Sequence, residues 1–173
     1  MERIKIGISS CLLGEKVRYD GEQKLNPVLK DAPVKYNIEY VPVCPEVECG
    51  LSVPRKAMHL EGNPDSPRLI ITETGEDMTD RMVKWAQKRI IQLEKEDIRG
   101  FIFKSNSPGC GIKSVNIFNG NSLPSKSGTG IFAGIFIKRF PLLPTEDEEN
   151  LKNPALLENF IERICAFAKS CAK

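Results

Sequence analysis

The chain has 173 residues, 40% of them hydrophobic and 28% charged, with 13 glycines and 12 prolines spread along it. That length and balance fit one globular domain and exclude the disordered, collagen-like and membrane-spanning classes. A formal net charge of +2 names no partner, because nucleic-acid and anionic membrane surfaces carry clustered basic charge; neither is expected as a partner here.

The opening MERIKIGISSCLLG does not read as a secretory signal, since Gly7, Ser9 and Ser10 break its apolar stretch at once. Ile4, Ile6 and Ile8 alternate with Arg3, Lys5 and Gly7 and predict a first strand that ends at Ser9-Ser10-Cys11. Further short strands are predicted over residues 38–43, 68–72 and 100–104, each apolar and bounded by turn formers. Between the last two, Met78, Met82, Trp85, Ala86, Ile90 and Leu93 recur at helical spacing, with Asp77 or Thr79 as a cap. Residues 119–130 read as a loop, and 130–140 as a helix in preference to a strand on length and paired apolar residues. Residues 141–153 read as an acidic connector, followed by a closing helix from Pro154 to about Ala168, capped by Asn153. Strands alternating with helices predict an α/β fold over residues 1–173, a single domain whose mostly parallel, Rossmann-like sheet is flanked by helices.

Six cysteines in a chain expected in the cytoplasm are more at home as reduced, buried, catalytic or metal-binding thiols than as disulfides. In parallel α/β sheets, ligands bind beyond the carboxyl ends of the strands. Cys11 follows the first strand, Cys44 the second, and Cys110 lies in the SNSPGCG loop after GFIFK, so this topology can bring all three to one edge. Three thiolates with no evident fourth ligand leave an open coordination position, and sulfur ligands suit zinc and iron–sulfur clusters alike. No C-x-x-C pair is present, and buried structural cysteines stand as the competing reading. Cys49 reads as a packed small residue in preference to a fourth ligand, and Cys165 and Cys171 as non-functional.

Around these thiols, Glu46 follows Cys44 by two residues and is placed to act as a base, although most glutamates are simply solvated. Ser107 can serve a ligand or merely shape its turn. Arg18, Tyr19 and Asp20, and likewise Arg55, can hold an anionic or planar substrate or form surface salt bridges. The single histidine, His59, rules out a histidine-rich metal site and reads as a bystander.

ISSCLLGEKVRYDG, VPVCPEVECGLSVPR and FKSNSPGCG together resemble the family that contains the thiouracil desulfidases, and the tail from GTGIFAGIF onward looks like a branch often fused to a second uncharacterised domain. The resemblance implies a [4Fe-4S] cluster held by Cys11, Cys44 and Cys110 with one iron open to a small thiolated substrate, and catalytic roles for Glu46 and Ser107. It implies desulfuration without net redox change and release of hydrogen sulfide. Gly109 stands where the family commonly has serine, and Cys49 where it commonly has glycine. The alternative is a metal-binding or sulfur-handling protein that turns over no thiolated base.

Overall fold

In the computed structural model, which describes residues 3–171, β1 (Ile4–Ser9) lies inside a four-stranded parallel sheet. Ile6 and Ile8 point into a fully buried layer, as the alternation in the sequence requires. Gly7 faces the other way, and a Cβ there would lie 2.2 Å from the Phe101 ring, so only glycine lets that ring close on the strand.

After a 3-10 turn (Ser10–Leu13), α1 (Pro27–Tyr36) starts where the Asn26 side chain accepts a hydrogen bond from the Leu29 N–H at 3.2 Å. α1 leads to β2 (Ile38–Val43), which pairs parallel to β1 from Ile4↔Ile38 to Ser9↔Val43. The short α2 (Pro45–Glu48) leaves the end of β2, and the chain passes through β3 (Met58–Glu61), β4 (Arg68–Ile71) and α3 (Thr79–Lys95). It then returns to the opposite side of β1 as β5 (Phe101–Phe103). β6 (Val115–Phe118), β7 (Ser125–Gly128) and α4 (Ile131–Arg139) precede β8 (Thr145–Asp147), and α5 (Pro154–Cys171) closes the described chain.

The parallel sheet therefore has the order β2-β1-β5-β8. With β2 on one side of β1 and β5 on the other, the winding reverses at β1, and the loops leaving the carboxyl ends diverge to leave a crevice. One face is covered by α1 and α5 through Leu29, Phe160 and Ile164; the other is covered by α3 and α4 through Ala86, Ile90, Phe132 and Phe136. A smaller core of Leu60, Leu69, Met82 and Ile117 lies under a second sheet.

That second sheet, order β4-β3-β6-β7, was not foreseen in the sequence. The strand expected at 68–72 belongs to it, antiparallel to β3, and not to the parallel sheet. The loop expected at 119–130 contains β7, whose residues before Gly128 are polar and exposed and carry no apolar alternation. The acidic connector at 141–153 contains β8, a parallel partner of β5 with the sequence TED. α1 also escaped notice, since Pro33 sits inside it and only Leu29 and Ala32 are buried. The helices expected at 78–93, 130–140 and 154–168 are present as α3, α4 and α5, with the Asn153 side chain accepting from the Ala155 N–H at 3.0 Å.

Candidate active site

Cys11 lies in the turn after β1, Cys44 at the foot of α2 after β2, and Cys110 in the loop after β5. All three line one cavity of about 240 Å³ at the carboxyl edge of the parallel sheet, together with Glu46, Arg55 and Ser107. The topology gathers residues as far as 99 positions apart because β1, β2 and β5 are hydrogen-bonded neighbours.

The Cys110 loop is fixed by α4. The Gly130, Ile131 and Ala133 N–H groups at the start of that helix donate to the carbonyls of Gly111, Pro108 and Gly109 at 2.7, 3.0 and 3.1 Å. These are amides that have no partner within their own helix, so the loop and the helix end satisfy each other. Inside the loop, Ser107 Oγ accepts from the Gly109 N–H at 3.2 Å and the Cys110 N–H at 3.1 Å. Its hydroxyl hydrogen is spent on neither bond and is free to donate into the cavity.

Burial pushes the Cys11 thiol up to about 11, with the nearby Lys104 ammonium pulling the other way. Burial also raises Cys44, and raises Cys110 well above the usual thiol range against an opposing hydrogen bond with the Ser9 hydroxyl. Burial thus favours the neutral thiols, and a cation bound among them would favour the thiolates instead.

Glu46 is held from one side only. Arg55 Nε donates to Glu46 Oε2 at 2.6 Å, while Arg55 Nη1 and Nη2 donate to the carbonyls of Ser52 at 3.1 Å and Val17 at 2.8 Å. The Arg55 side chain is only 7% exposed and the Glu46 side chain 15%. Arg55 thus binds the carboxylate and the loop after Cys11 together, with each of its three nitrogens in a hydrogen bond. Glu46 Oε1 has no hydrogen-bond partner among the described residues.

Arg18 also lines the cavity, whereas Asp20 does not. Asp20 is exposed and stands behind Arg18, 3.5 Å from its Nε; its carboxyl lies below the usual range because it accepts the Glu22 N–H at 3.0 Å. Cys49 is absent from the cavity wall: its thiol donates to the Glu46 carbonyl at 3.3 Å and packs against the core under the second sheet. His59 lies in β3, bonded to Thr72 and Glu61 at 2.8 Å each.

Lys104 and Glu148 are the site residues that sequence reasoning did not single out. Lys104 lines the cavity, its Nζ bonds Glu148 Oε1, and Glu148 accepts the Ser105 N–H at 2.6 Å and the Ser105 hydroxyl at 2.7 Å. Glu148 is 4% exposed, yet it sits in the run TEDEEN, which reads as solvated charge. Its only signal is its place just after β8, which had no apolar signature to reveal it.

Comparison with known proteins agrees with this geometry. The chain is 30% identical over 149 residues to the uncharacterized protein YbbK of Bacillus subtilis (strain 168), covering 83% of this chain and 96% of that one. The solved structure of TudS, a [4Fe-4S]-dependent thiouracil desulfidase, superposes with a TM-score of 0.70 at 28% identity, covering 91% of this chain and 99% of TudS. Residues 6–148, which take in all three cavity cysteines, Glu46, Ser107 and Glu148, match the model of the 2-thiouracil desulfurase family, and the chain belongs to that family.

Proposed function

We propose that residues 1–173 form one desulfidase domain that hydrolyses the thiocarbonyl of a thiolated nucleobase of the 2-thiouracil kind, or of a related small thio compound, using a [4Fe-4S] cluster. The observation that carries this reading is the meeting of three strand-end thiols and an arginine-held carboxylate on one cavity wall. The reaction exchanges sulfur for oxygen, C=S plus water giving C=O plus hydrogen sulfide, and moves no net electrons.

The donor set, three thiols from neighbouring strand ends lining one cavity, is of the soft kind that suits an iron–sulfur cluster. Cys11, Cys44 and Cys110 would hold it, and three ligands leave one iron free of protein. When bound, such a cluster supplies a Lewis acid for the thiocarbonyl sulfur.

The chain's own residues supply the rest. Glu46, fixed through Oε2 by Arg55, keeps Oε1 as the base that takes a proton from the attacking water and returns it to the departing sulfur. Ser107, held by two backbone N–H groups, turns its hydroxyl hydrogen toward a substrate oxygen or ring nitrogen. Arg18, with only a long pair to exposed Asp20, has N–H groups to offer the polar edge of the substrate. Arg55 positions these parts through Glu46 and the Val17 carbonyl, and it lines the cavity that substrate would enter. All six cysteines are unpaired, which suits a reducing cytoplasm, and no helix among the described residues is long and apolar enough to cross a membrane.

The test is anaerobic reconstitution with iron and sulfide, metal analysis, and measurement of hydrogen sulfide released from 2-thiouracil. About four irons per chain are expected, with sulfide and uracil formed in equal amounts, and both iron and activity lost in Cys11→Ala. Iron uptake without sulfide release would turn the assignment to metal binding or sulfur handling; failure of the wild type to take up iron would overturn the cluster.

A further inference from the structure

We infer that Tyr19 is a stacking platform at the cavity mouth that selects planar heteroaromatic thio compounds over aliphatic thioamides. The inference rests on the desulfidase reading and names the substrate class more closely. Tyr19 lines the cavity yet is 44% exposed, the most exposed aromatic residue among the described large hydrophobics. Among the described residues, eight ring pairs join phenylalanines and Trp85 within the core and a ninth joins His59 to Phe118, but Tyr19 has no ring partner. The Arg18 guanidinium lies a distant 5.9 Å from its ring centre.

An exposed tyrosine on a loose loop would mean little, but this loop is tied at every few residues. Arg18 N–H donates to the Glu22 carbonyl at 3.2 Å and Gly21 N–H to the Arg18 carbonyl at 3.0 Å, closing the turn on itself. Lys24 N–H and Asn26 N–H return to the carbonyls of Cys11 and Leu12 at 2.9 Å each. From the other side, Arg55 N–H donates to the Tyr19 carbonyl at 2.8 Å, and the Arg55 guanidinium holds the Val17 carbonyl at 2.8 Å. The residue that fixes the Glu46 carboxylate therefore also ties the Tyr19 backbone, so the base and the main chain that carries the ring are joined through one residue.

A half-exposed aromatic ring with two side-chain torsions, carried on a tied backbone at a cavity edge, loses little freedom on binding and offers its face to a flat ligand. The cavity, at about 240 Å³, is smaller than the roughly 300 Å³ and upward of drug-sized pockets, which limits the occupant to little more than a single ring beside any cluster. Stacking supplies affinity with tolerance for ring substituents, while Arg18 and Ser107 are left to read the polar edge.

The experiment compares the wild type, Tyr19→Phe and Tyr19→Leu, each loaded with cluster. Two readouts are taken: kcat/KM for 2-thiouracil and for thioacetamide, and the Kd of uracil by calorimetry, which needs no turnover. Tyr19→Leu is expected to weaken uracil binding about five- to tenfold and to cut the preference for 2-thiouracil over thioacetamide by a similar factor, through KM and not kcat. Tyr19→Phe should keep both, since the ring face is retained. Unchanged uracil affinity in Tyr19→Leu, or an equal loss toward both substrates, would overturn the platform. A wild type that binds uracil in a Tyr19-dependent way but releases no sulfide would defeat the desulfidase assignment and leave the platform standing.

Discussion

The two sheets treat the same kinds of residue in opposite ways. In the second sheet, His59 is bonded at both ring nitrogens, to Thr72 and Glu61 at 2.8 Å, stacks edge-on against Phe118 at 5.1 Å, and shares Glu61 with Arg68 at 3.4 Å. Each polar group of this cluster is satisfied by a neighbour. At the carboxyl edge of the parallel sheet, Glu46 has one oxygen bound and one without a partner among the described residues, Ser107 has its oxygen bound and its hydrogen free, and the buried Cys11 and Cys110 and the half-buried Cys44 have no sulfur partners. Chemistry is found where groups are held firmly yet keep a valence in reserve, and the diverging strand ends create that condition.

The sharpest way to break this contrast is to change the reserve without changing the hold. Glu46→Gln keeps a side-chain oxygen to accept from Arg55 but removes the base. Loss of general-base help should lower kcat by about 10²- to 10⁴-fold, with iron content and KM near those of the wild type. Retention of kcat in Glu46→Gln would move the base elsewhere in the cavity.

A second effect separates the cluster-free from the cluster-loaded protein by pH. The Cys11 thiol rises from 9.0 to about 11 on folding because of burial, so the fold favours its protonated form. That contribution is complete below pH 9.0 and is lost as pH climbs toward about 11. At about 1.4 kcal/mol per pH unit, the cluster-free protein should lose about 3 kcal/mol of stability across that window from this group. In the loaded protein the ligating thiols are already ionised, so urea midpoints should not show this loss. An identical alkaline loss in both forms would mean that Cys11 does not ligate.

What could be read from the sequence follows the same division. Apolar strands announce themselves: Ile38–Val43 is predicted and found with the same limits, and the alternation of Ile4, Ile6 and Ile8 marks β1. Because these strands carry cysteine at their ends, the three-thiol edge was legible once parallel order was assumed. Elements held by backbone pairing alone left no pattern, as in β8 with its sequence TED and β7 with SKSG. Glu148 was hidden for that reason, since its burial depends on an unpatterned strand beside β5. For Arg55, spacing places it near the cavity, but only the fold shows its nitrogens bonded to Glu46, Ser52 and Val17.

The smallest expected effect concerns two cysteines that sequence alone could not separate. Cys44 ends β2 and lines the cavity, while Cys49, one residue past the end of α2, falls outside the wall. The helical turn between them takes the second thiol away from the cavity, and Cys49 packs against the core under the second sheet. Cys49→Ala removes one half-buried sulfur and a weak thiol hydrogen bond to the Glu46 carbonyl. It should cost about 1 kcal/mol in urea unfolding and leave iron content and the cluster's visible spectrum as in the wild type. A cluster with altered absorption or reduced iron in Cys49→Ala would instead make this thiol a fourth ligand and remove the open iron on which substrate access depends.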